Sequence, residues 1–179
     1  MKQIAWVVTA ALVIAALNCA HAEHLQQSKS QQDGEYHLAA GKTYNMHAHD
    51  HARMLLKYAG AGDQVPADVV QDHVASIRFN TEAARKSYIR LAKSSGASAV
   101  LVQKVEQMQK RLDKVNTELE QLEAHAAKNA VESRTVIARA NAVSRHLHAN
   151  HDDLRAIDDG FYDSGSDSYY ETGEGHFVD

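Results

Sequence analysis

Between Leu101 and Ile157 apolar residues return every three or four positions, and this stripe constrains the fold more than any other feature of the chain. Leu101, Val105, Met108, Leu112, Val115, Leu119, Leu122 and Ala126 form its first half, flanked by Lys, Glu and Gln. A helix of 3.6 residues per turn carries such a set along one side, so the spacing predicts a long amphipathic helix with a coiled-coil-like seam. The stripe stays in phase through Asn129, Ser133, Val136, Ala140, Val143, Leu147, Asn150, Leu154 and Ile157. Continuous phase is compatible with one very long helix. The stretch AAKNAVES dilutes the seam, however, and a turn near Asn129 would give two helices of ordinary bundle length, the arrangement favoured here.

Two earlier segments carry the same period. From Tyr44 to Gly60 the residues His47, His51, Met54, Leu55 and Tyr58 recur at helical spacing, and the GAGD run stops that helix. Pro66 suits a first helical turn. After it Val70, His73, Val74, Ile77, Ala84, Tyr88 and Leu91 mark one side of a second helix, which the run SSGAS ends. The fold class expected is all-α: an antiparallel bundle of three to four long helices with disordered termini. Residues 44–157 form the bundle, residues 23–43 a flexible polar leader, and residues 158–179, acidic and free of Lys and Arg, a disordered tail.

The opening MKQIAWVVTAALVIAALNCAHA joins Lys2, an apolar stretch and a small-x-small ending at Ala20 and Ala22. This is the pattern of a cleaved export signal covering residues 1–22. It places the mature chain in the periplasm or outside the cell. The one cysteine, Cys19, falls inside that signal, which leaves no disulfide and no thiolate ligand in the exported part. No later run reaches the roughly 20 apolar residues that a membrane helix requires. A net charge of −4, with basic residues scattered among acids, gives no footprint for nucleic acid.

Chemistry concentrates in the histidines. His47, His49 and His51 lie in MHAHDHARMLLKY, and His146, His148 and His151 in SRHLHANHDDL. In antiparallel hairpins turning near Asp63, Gly96 and Asn129, His51 lies level with about Ala75. The level of His47 passes Asp113 and reaches His146, so both clusters fall at the same height. His73 and Asn80 approach it as well. By helical phase His47, His51 and His151 follow the apolar stripes, His148 flanks one and His49 points away. The site expected is therefore a metal centre of His47, His51, His148 and His151, since histidines at i and i+4 can grip one ion and a facing pair completes four-coordination. Asp50, Asp152 and Asp153 would supply an oxygen ligand or orient an imidazole. Zinc, copper and nickel suit these nitrogens.

Other readings compete with it. Single histidines such as His73 and His125 on apolar sides are usually packed, hydrogen-bonded residues. A histidine cluster can also act as a pH sensor without metal. Two swapped helices would make the centre intermolecular, and the Leu101 to Ile157 surface would suit a homodimer. A structural or chaperone-like coiled-coil protein with incidental histidines is the alternative function.

Enzymatic chemistry finds no support. The zinc-protease pattern H-E-x-x-H has Ala48 where its general base belongs. The hemerythrin-like set lacks its H-x-x-x-E element, and no nucleotide or acyl-transfer motif is present. Haem has no C-x-x-C-H attachment and is not expected, although Met46 and His148 resemble the axial pair of cytochrome-b-type four-helix bundles. Through its signal, its amphipathic helices and the run HAHDHARML, the chain resembles the exported histidine-rich helical proteins of bacterial envelopes, among them nickel-cobalt sensor domains and zinc-responsive periplasmic chaperones. That resemblance implies metal binding for buffering, delivery or sensing.

Overall fold

A computed structural model describes residues 32–94, 97–127 and 130–166. The expected export signal, residues 23–31 of the expected leader and residues 167–179 of the expected tail lie outside them. Four helices run antiparallel in chain order: α1 over residues 32–59, α2 over Ala67–Lys93, α3 over Ala99–Ala126 and α4 over Ser133–Ser166. Three-residue strands β1 (Gln64–Pro66) and β2 (Ala130–Glu132) lie in the loops between them. None of these helices is long and apolar enough to cross a membrane.

The seam read from Leu101 onward is the core. Every α3 position in it is at most 8% exposed, and α4 buries Ser133, Val136, Ala140, Val143, Leu147, Asn150, Leu154 and Ile157. The chain reverses between the end of α3 at Ala126 and the start of α4 at Ser133, so the stripe folds back on itself and closes inside one molecule. The surface expected to serve a homodimer therefore faces the chain's own core. The N-cap of α3 is Ser98, whose hydroxyl accepts from the Leu101 amide and so satisfies one of the unpaired amides of the first turn. On α2 the inward residues are Val70, Val74, Ile77, Ala84, Tyr88 and Leu91, the side marked by periodicity.

Helix α1 departs from expectation twice. It begins by residue 32, so residues 32–43 are helix rather than flexible leader, with Leu38 2% exposed in the core. Its buried side is Leu38, Gly41, Asn45, Ala48, Ala52, Leu55 and Ala59, a three-four stripe made mostly of small residues. The side marked by His47, Met54 and Tyr58 faces outward instead, with Met54 41% and Tyr58 45% exposed. At the other end, α4 continues past residue 157, through the start of the expected tail, to Ser166.

The strands were not foreseen. Val65 pairs with Val131, Gln64 with Glu132 and Pro66 with Ala130 in an antiparallel ladder. Both valines are buried and cap the core. The Ser133 amide donates to Asp63 O at 2.9 Å and its hydroxyl to Gly62 O at 2.6 Å, which fastens the α1–α2 loop to the α3–α4 loop.

A polar layer crosses the bundle further from these loops. Asn45 Nδ2 donates to Leu147 O at 2.8 Å, and the Tyr88 hydroxyl donates to Asn45 Oδ1 at 3.3 Å. Asn150 Nδ2 donates to Met108 O, while Arg111 Nη1 reaches Asn150 Oδ1 at 3.0 Å and Asp153 Oδ2 at 2.6 Å. Buried polar groups bonded to named partners fix which residues stand at the same level, because a slipped register would leave them unsatisfied.

Candidate metal centre

The small-residue stripe of α1 turns Ala48 inward, and this orientation distributes the neighbouring histidines. At 100° per residue, His49 lies on the side toward α4, His51 on the side toward α2, and His47 on the outer surface. The four residues expected to share one ion therefore do not converge. His51 meets His73 on α2, whereas His148 stands beside His49 and Asp152, and His47 is exposed. The expected phase was wrong because it followed Met54 and Tyr58, which are apolar but face outward.

On the α2 side, His51 Nδ1 lies 3.0 Å from His73 Nδ1, with the ring centroids 5.3 Å apart. One nitrogen must carry the hydrogen and donate while the other accepts, so the neutral pair holds a single shared proton between converging lone-pair positions. The Tyr58 ring stands 5.6 Å from His73 and covers it. Burial, and secondly His51, lower the His73 pKa, against an opposing contribution from Asp72. The ring is accordingly held neutral, the state a metal requires.

On the α4 side, His49 Nε2 lies 3.0 Å from Ser144 Oγ, and its ring centroid 6.3 Å from that of His148. Burial lowers the His49 pKa first, then Arg53. His148 and His151 act in the same direction and Asp50 opposes them. His148 Nε2 approaches Asp152 Oδ2 at 3.7 Å, one helical turn on. Asp153, considered above as an oxygen ligand, is bound to Arg111 instead. His146 points to the α3 side, where burial, Lys114 and Arg145 lower its pKa and Glu118 raises it. Met46, 50% exposed, and His148, with a side chain 67% exposed, both stand outside the core.

The levels along the bundle axis were read correctly. His51 is expected opposite about Ala75 and meets His73; the level of His47 is expected to reach His146, and its neighbours Asn45 and His49 meet Leu147 and Ser144. The pairing of His51 with His73 was accessible from that level alone, whereas His49 was misdirected by the assumed phase. Among the described residues no group of three or more His, Cys, Asp or Glu side chains is arranged to hold one ion. Among the described residues the His51–His73 pair brings two imidazole nitrogens within 3.0 Å of each other. No protein-family model matches the chain, and no curated protein or solved structure is significantly similar to it.

Proposed function

We propose that this chain is an exported, non-enzymatic helical bundle that binds a late first-row transition metal, zinc, copper or nickel, for buffering, delivery or sensing. The observation that carries the reading is the 3.0 Å approach of His51 Nδ1 to His73 Nδ1. Metal–nitrogen bonds of about 2.0–2.1 Å put two imidazole nitrogens on one tetrahedral ion about 3.3 Å apart, so a shift of a few tenths of an ångström admits an ion in place of the shared proton. His73 is held neutral and both side chains are only partly covered, so an ion can reach them. The export pattern of residues 1–22 supports a location where metal supply fluctuates and thiolate ligands are not needed.

The test is the metal content and affinity of untagged, chelator-stripped protein challenged with zinc, copper and nickel. Stoichiometric binding at submicromolar strength, lost on combining His51→Ala with His73→Ala while the helical circular-dichroism signal persists, is the expected result. Binding unchanged in that variant would overturn the assignment of the site.

A further inference from the structure

We propose that His51 and His73 form one half of a zinc site whose other half is the same two histidines of a second copy of the chain. The inference rests on the metal reading above and adds a partner to it. Two nitrogens 3.0 Å apart make one edge of a tetrahedron, and a structural zinc ion takes four ligands. Among the described residues no third His, Cys, Asp or Glu joins this edge. A two-fold axis through the ion would supply the opposite edge from the partner without any further residue, because an isologous contact presents the same patch twice.

The surface around the pair suits such a contact. His47, Met54 and Tyr58 lie on the outer side of α1 with His51 at its α2-facing edge, and the four follow one another in steps of four, three and four, the spacing of a coiled-coil seam. Met54 and Tyr58 are 41% and 45% exposed, large side chains that the bundle itself leaves half uncovered. The Tyr58 ring beside His73, with Met54 exposed on the same helix, gives thioether and aromatic surface that a second copy can cover, which would limit water at the metal and strengthen its bonds.

Light scattering on a sizing column, with bound zinc assayed in the same fractions, tests the idea on the full untagged protein after chelation and stepwise zinc addition. One zinc per two chains with a doubled mass is expected, both reversed by chelator. Both should be lost in His51→Ala and in His73→Gln and kept in His148→Ala. One zinc per chain at monomer mass would overturn the shared site while leaving metal binding intact. No bound zinc would overturn the shared zinc site, no bound zinc, copper or nickel would overturn both readings, and a doubled mass indifferent to zinc or to His73→Gln would overturn the shared site.

Discussion

Tyr88 is the residue on which the polar layer turns. Its ring lies against Gly41 of α1, where an added Cβ would stand 2.8 Å from Cε1 and 3.1 Å from Cδ1. Tyr88 is fully buried and its hydroxyl is engaged with Asn45, so the ring has nowhere to swing. Gly41→Ala should therefore lower stability by about 1–3 kcal/mol despite the better helix propensity of alanine, a result urea denaturation would check. Tyr88→Phe keeps the ring and removes one hydrogen bond, so it should cost only about 1 kcal/mol. Burial pushes the Tyr88 phenol far above the usual range, so the hydroxyl remains a donor at every pH at which the bundle is folded. A Gly41→Ala variant as stable as the parent would mean that α1 and α2 stand further apart at this level.

At the scale of the helix, the contrast between α1 and α3 explains what could be read from the sequence. In α3 the inward positions are Leu, Val and Met, so hydropathy and burial coincide and every seam position was legible. In α1 the inward positions are chiefly Gly41, Asn45, Ala48, Ala52 and Ala59, small enough for close helix approach but almost silent in hydropathy. Met54 and Tyr58 dominate the periodic signal and mark the outer side. One misread phase rotated the three histidines by about a third of a turn, which is why the level of the site was legible and its ligand set was not. The β1–β2 link escaped notice for another reason: three-residue strands are too short to display a period of two. The phase itself can be tested by a pair of substitutions. Ala52, fully buried, has no room for a larger side chain, so Ala52→Leu should cost about 1–3 kcal/mol. Met54→Ala, on the outside, should stay within about 0.5 kcal/mol in metal-free protein. The reverse ordering of midpoints in urea would restore the phase read from Met54 and Tyr58.

For the whole molecule, the histidines set a direction for stability against pH. His49 on α1, His73 on α2 and His146 on α4 are each held below the ordinary value of 6.5, in every case chiefly by burial. In the unfolded chain they regain that ordinary value. Between the lowered values and 6.5 the unfolded state binds more protons, so the stability these rings contribute is present above pH 6.5 and is lost as pH falls through their folded values. Neighbours add to this at each site: Arg53 at His49, His51 at His73, and Lys114 and Arg145 at His146. The charges that oppose the shift, Asp50, Asp72 and Glu118, are the smaller influence at each. In chelator-treated protein the melting temperature should therefore fall as pH is lowered from 7.5 to 5.5. His146→Gln, far from the proposed metal pair, should shallow that slope without abolishing it, because His49 and His73 still titrate. Bound metal should steepen it instead, since protons compete with the ion for the same nitrogens, and enough zinc to saturate the site should raise the melting temperature most near neutral pH. A melting temperature flat across this window in metal-free protein would mean that the three rings are as well solvated in the bundle as in the open chain.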